Sequence, residues 1–197
     1  MTFALTLSQV RALSPCSERW EHAKSVLPAR KKITAAMARE AGCSFNDLVW
    51  LASEVARKDS AVERRVRHWL ADCAARVLYI YERDHPSDMR VRASIQAARD
   101  YADGRIGSAA RDAAGAAAWD AAWAAARAAA WAAVRAAARA AAWAAAWDAA
   151  RAAAWDAAWD AAWDAEEQWQ FDRLILWLSD DEPEPYPLPA ISVGVAA

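Results

Sequence analysis

Cysteine, histidine and glycine are all scarce in this chain, at three, three and five of 197 residues. Each shortage removes a class of function. Cys16, Cys43 and Cys73 form an odd, scattered set that is neither a disulfide framework nor a CxxC metal site. Reduced thiols and a cytoplasmic setting are therefore expected. His22, His68 and His85 stand apart from one another, and the chain has no HExxH, no GxSxG and no glycine-rich phosphate loop. No basic stretch with an apolar run behind it opens the sequence, so no signal peptide is expected. The longest uncharged stretch of the alanine-rich part, AAAWAAAW at 140–147, is far too short to cross a bilayer. No segment alternates apolar and polar residues over a useful length, which argues against a sheet. A net charge of only −2 makes the chain a poor general binder of nucleic acid, because such binding rests on neutralising phosphates. No catalytic residue, metal site or cofactor is expected, and no membrane partner.

What remains is helix. Ser17 precedes ERWEHAKSVL, and Pro28 stops that run. Ser44 and Asp47 have the spacing of a capping box. Ser60 and Glu63 have it too, ahead of the long stretch AVERRVRHWLADCAARVLYIYER. There Val62, Val66, Trp69, Leu70, Cys73, Val77 and Tyr81 recur at helical spacing and predict the buried face. DHPSD at 84–88 breaks this helix, and a further helix runs from about Asp88 to Ala102, ended by Gly104 and Gly107. His68 and Asp72 share a face four residues apart. Cys73 points about 140° away from His68, so the two do not form a nucleophile pair on one helix.

Residues 109–165 obey a different rule. From Trp119 to Trp163, every fourth residue is Trp or Arg, twelve positions in a row, with alanine filling most of the rest and Asp following several of the tryptophans. Alanine makes the segment helical. A helix advances about 100° per residue, so a four-residue step drifts about 40°, and the Trp/Arg stripe of one straight helix would wind through every side. Two or three repeats, by contrast, stay within the roughly 100° apolar face of an ordinary surface helix. The repeat is therefore expected to be broken or strongly bent into several helices, each turning its indoles inward. The expected architecture is all-α: a multi-helix bundle in which these helices pack on N-terminal ones. Residues 1–180 form one domain, ordinary helix over 1–108 and tetrad repeat over 109–178, and 181–197 form an acidic, proline-rich tail.

The arginines of the repeat share the register of the tryptophans. Between Asp120 and Asp148 no acidic residue occurs, so Arg127, Arg135 and Arg139 lack a carboxylate one helical turn away. A guanidinium facing a core needs an anion. Asp148, Asp156, Asp160 or Asp164 of a neighbouring helix could supply it, the heads could reach out to water, or an external phosphate or acidic patch could take the fork. The candidate ligand-binding set is Arg127, Arg135, Arg139 and Arg151 with Trp123, Trp131, Trp143 and Trp147. Charge is also split along the chain. Residues 1–110 hold 18 Lys/Arg against 13 Asp/Glu, and residues 111–197 hold 6 against 13. The acidic part can dock on the basic part, or one pole can steer a partner.

ITAAMAREAGCSFNDLVWLA at 33–52 imitates a helix-turn-helix, with Gly42 at the turn and Lys31, Lys32 and Arg39 placed to touch phosphate. Its second helix opens on Asp47 and offers little but Asn46 to a base edge, so DNA is not the expected partner.

ADCAARVLYIYERDHPSDMRVRASIQAARDYADG at 71–104, the Trp/Arg/Asp-studded alanine run, and the closing AAWDAEEQWQFDRLILWL together resemble the alanine-rich immunity proteins attributed to bacterial polymorphic toxin systems. LTLSQVRALSPC and DLVWLASEV fit that family's opening. The resemblance covers about 1–178. It implies an all-α, non-enzymatic protein that neutralises a harmful partner by binding and sequestering it, the partner being a toxin or effector protein. Two other readings fit the residues. One is a sponge that traps a phosphate-bearing nucleotide, an anionic signal of bacterial or phage conflict, in a Trp/Arg-lined pocket. The other is a structural, self-associating repeat protein; alanine faces can also pair between chains, which allows a homodimer.

Overall fold

Capping chemistry sets most of the helix starts. In the computed structural model, which describes residues 3–29, 31–117 and 164–190, Thr6 and Gln9 exchange side-chain and backbone bonds to open α1 (Leu7–Arg11). α2 (Ser17–Val26) ends at Leu27, whose backbone is extended, as the residue before a proline prefers. Two two-residue strands, β1 (Ala4–Leu5) and β2 (Ile33–Thr34), pair antiparallel with Ala4 opposite Thr34 and Leu5 opposite Ile33. They correct the expectation of no sheet: two residues per strand are too few to show alternation in a sequence. Thr34 then caps α3 (Ala35–Glu40). Gly42 turns the chain at φ +88°, a conformation that disfavours any side chain, and leads into α4 (Phe45–Ala56). The box expected at its start is present: Ser44 Oγ accepts from the Asp47 N–H at 3.2 Å, and the Asp47 carboxylate accepts from the Ser44 N–H at 2.9 Å.

α5 (Ser60–Asp84) is the long central helix. Its cap is Asp59, one residue earlier than expected, accepting from the N–H groups of Ala61 and Val62 at 2.9 and 3.2 Å. A carboxylate there also faces the positive end of the helix dipole, which a hydroxyl does not exploit. Glu63, freed from capping, bonds Arg67 one turn along. α6 (Arg90–Ala102) returns against α5 and ends before Gly104, at φ +72°. Residues 108–117 and 164–177 are also helical. The fold is all-α apart from the β1–β2 ribbon.

Among the described residues, two apolar clusters hold it together. The larger joins Phe3, Leu7, Ile33, Leu48, Ala52, Val62 and Trp69 to Leu174, Trp177 and Leu178 of the C-terminal helix and its end. The smaller packs Ala71, Ala75 and Leu78 of α5 on Ile95 of α6, with Tyr186 and Leu188 laid over it. The helix at 164–177 thus packs on α4 and α5, and residues 182–190, without regular secondary structure, run along the α5–α6 side.

The face of α5 expected to be buried is only partly so. Val62 and Trp69 are buried, and Val66 and Cys73 partly so, but Leu70 and Val77 are exposed, at 54% and 39%. In its second half the helix turns the flank carrying Ala71, Ala75 and Leu78 to α6 instead. Small residues there let the two backbones approach closely, which the bulkier stripe would prevent.

Candidate functional site

The residues singled out in the repeat, Arg127, Arg135, Arg139, Arg151, Trp123, Trp131, Trp143 and Trp147, all lie outside the described residues, as do the expected breaks of the repeat. The described part contains a polar centre that the sequence did not announce. Asp72, in the middle of α5, is fully buried. Its carboxylate accepts from Arg99 Nη2 of α6 at 3.0 Å, and from Arg173 Nε and Trp177 Nε1 of the C-terminal helix, both at 2.8 Å. The backbone N–H of Tyr186 donates to it at 2.7 Å. Arg99 also donates to the Tyr186 carbonyl, and Arg173 to that of Glu184. His68, one turn before Asp72, stacks on Trp177 with centroids 4.9 Å apart and shares a 2.7 Å hydrogen bond with Asp103. The one sequence signal for this centre was the His68–Asp72 spacing; the partners come from segments 27 to 114 residues away.

This arrangement is built to hold, not to react. The Asp72 oxygens are surrounded by donors and closed to solvent, so they are not available as a base. Burial, with Glu166 and Asp72 nearby, pushes the Cys73 thiol up to about 12, which keeps it protonated and non-nucleophilic at neutral pH. Among the described residues no group of His, Cys, Asp and Glu is placed to hold a metal ion, and no helix is long and apolar enough to cross a membrane.

The helix-turn-helix-like stretch forms as α3, the Gly42 turn and α4. Two of its charges are engaged within the protein: Arg39 pairs with Asp172 and lies 4.9 Å from the Phe171 ring, and Asp47 pairs with Arg19 at 2.6 Å, while Lys31 and Lys32 stay exposed.

Among the described residues, α5 presents apolar side chains at the surface. Leu70, Val77 and Ile80 (47% exposed) fall within about 80° of arc on the helix. On its other flank Tyr79, 59% exposed, joins Pro86, Met89 and Pro189 around a groove of about 390 Å³. Scattered exposed apolar residues are ordinary, whereas Leu70, Val77 and Ile80 share one side of a single helix.

Comparison with protein families adds a decisive observation: a family described as "Imm-5 like putative immunity protein" matches residues 59–175. That is more than half of the chain. The chain belongs to this immunity-protein family. Comparison with curated proteins and with solved structures returns no match. The Imm-5-like region opens at the Asp59 cap and contains α5 and α6 with their exposed apolar residues, together with Asp72, Arg99 and Arg173 of the polar centre. The β1–β2 ribbon and α1 to α4 precede it.

Proposed function

We propose that the protein neutralises a toxin or effector protein, of the kind deployed by bacterial polymorphic toxin systems, by binding and sequestering it without catalysis. The observation that carries this reading is the outward apolar stripe of α5, Leu70, Val77 and Ile80, within the Imm-5-like region. The polar centre supports it from below: by tying α5 to α6, the C-terminal helix and residues 182–190, Asp72 keeps the stripe rigid, and a rigid face loses little entropy on docking. The nucleotide-sponge reading rests on Arg127, Arg135 and Arg139, outside the described residues, and no described residue favours it.

The test is a double substitution, Leu70→Glu with Val77→Glu. Both residues are exposed, so the melting temperature should stay within about 2 °C of the wild type. Protection of cells expressing the cognate effector, and complex formation with it, should fall at least tenfold, about 1.4 kcal/mol. Full protection by a folded variant removes α5 as the docking face. A raised melting temperature of the wild type with one class of nucleotide, lost in Arg135→Ala, replaces the protein partner by a small anion.

A further inference from the structure

The region before α5 encloses a cavity that the reading above does not use. α2, the β1–β2 ribbon, α3 and α4 surround it, with Leu5, Trp20, Ala23, Ile33, Leu48 and Leu51 among its walls. We infer that this cavity is a second docking site, which takes one bulky aliphatic or aromatic side chain presented on an acidic segment of a partner protein.

Three observations converge on that occupant. The first is size. The cavity holds about 70 Å³ and opens to the surface. A single water needs roughly 10–15 Å³ on the same measure, and a cavity of about 150 Å³ accepts benzene. The space therefore suits a side chain the size of leucine or the leading part of a ring, not a metabolite.

The second is polarity. The lining is almost wholly apolar, and its charged, imidazole and hydroxyl side chains already have internal partners. Arg19 is held by Asp47 at 2.6 Å, Asp47 also caps α4, His22 Nε2 meets the Gly42 carbonyl at 3.3 Å, and Thr34 Oγ1 accepts from the Met37 N–H at 3.2 Å. Such a wall recognises apolar volume and has little to offer a polar ligand.

The third is charge. Arg11 lies 5.2 Å from the centroid of the Trp20 ring, and Lys31 and Lys32 immediately precede Ile33 of the wall. All three are exposed, and none forms an ion pair among the described residues. Residues 3–51 carry seven Lys/Arg against four Asp/Glu. Glu21, beside the wall, is paired with Lys24 at 2.7 Å, and exposed cations without an ion pair next to an apolar hole favour an apolar anchor flanked by carboxylates over one flanked by lysines. No residue of α5 lines the cavity, and residues 3–51 lie outside the Imm-5-like match, so this site does not depend on the immunity reading.

The experiment uses the full chain and an end-blocked pentapeptide, Glu-Glu-Leu-Glu-Glu, titrated against the indole N–H signals of Trp20 and Trp50 by NMR. We expect saturable shifts at Trp20, with the central-alanine peptide and Lys-Lys-Leu-Lys-Lys each binding at least tenfold more weakly. Ala23→Leu should fill the cavity, hold or raise the melting temperature, and weaken the leucine peptide at least tenfold. Should that variant fail to fold, Lys31→Glu with Lys32→Glu alters only exposed charge and should weaken the same peptide at least tenfold. No Trp20 shift, equal binding of the alanine or lysine peptide, or full binding by the folded variants overturns the inference. Binding of free indole while the leucine peptide is inert overturns it in favour of a small-molecule pocket.

Discussion

A carboxylate in the middle of a buried helix needs donors on every side, and Asp72 finds them in two guanidiniums, an indole N–H and a backbone N–H. Removing its charge strands Arg99 and Arg173, buried at 8% and 13% side-chain exposure, without their anion. Breaking a buried pair from one side costs about 3–5 kcal/mol, because the remaining charge stays desolvated. Asp72→Asn is nearly isosteric, so packing is preserved and the electrostatic loss is isolated. We expect urea unfolding of Asp72→Asn to show a loss of about 3 kcal/mol or more. A loss below about 1 kcal/mol would mean that water or rearranged arginines already satisfy this centre. Apart from its four-residue spacing from His68, nothing local foretold it. Asp72 sits among alanines at a position any helix tolerates, and its meaning lies in residues brought to it from α6, the C-terminal helix and the segment beyond.

Helix starts are local chemistry, and at the level of elements they decide where α5 begins. Asp59, not Ser60, takes the first free N–H groups. Asp59→Ala should therefore cost about 1 kcal/mol, while Ser60→Ala should stay within about 0.5 kcal/mol. Thermal unfolding of both variants checks this, and a reversed order would return the cap to Ser60. The same locality explains what the sequence revealed. α2 before Pro28, the Ser44–Asp47 box of α4, and α6 with its Gly104 stop were legible because a breaker or a cap lies within a few residues of the apolar spacing, although α2 starts after Cys16 with no side-chain cap and not on Ser17 as cap. The ribbon was not, since four residues carry no pattern. Nor was the outward turn of Leu70 and Val77, because periodicity identifies an apolar stripe without saying whether a neighbouring helix covers it. That failure is informative: among the described residues the stripe lies exposed, within the Imm-5-like region, and it is there that the proposed interface is placed.

Across the whole molecule, the charge split of the sequence becomes contacts. Arg39 meets Asp172, Arg76 meets Glu166, and Arg64 and Arg65 both meet Glu182, so the basic first part of the chain receives the acidic last part. Glu182 is one of the contacts at which residues beyond the C-terminal helix attach to α5, beside the Tyr186 N–H to Asp72. The Arg64 guanidinium, bonded at 2.6 Å, holds the Glu182 carboxyl below its ordinary value of 4.5, and Arg65 adds to this. A carboxyl whose folded value is depressed contributes stability that is fully present above its unfolded value and is lost as pH falls through the folded one. This attachment should thus be complete near neutrality and weaken progressively below about pH 4.5. Glu182→Gln removes the charge at every pH. At pH 7 the variant should melt on the order of 2 °C below the wild type, a modest gap because the carboxylate is a third exposed and partly screened. Between pH 4.5 and 2 the gap should close, since protonation does to the wild type what the substitution has done to the variant. Melting curves across that range decide the matter. A gap that persists unchanged at pH 2 would assign the effect of the substitution to packing at residue 182 and not to the ion pairs that bind the acidic part of the chain to α5.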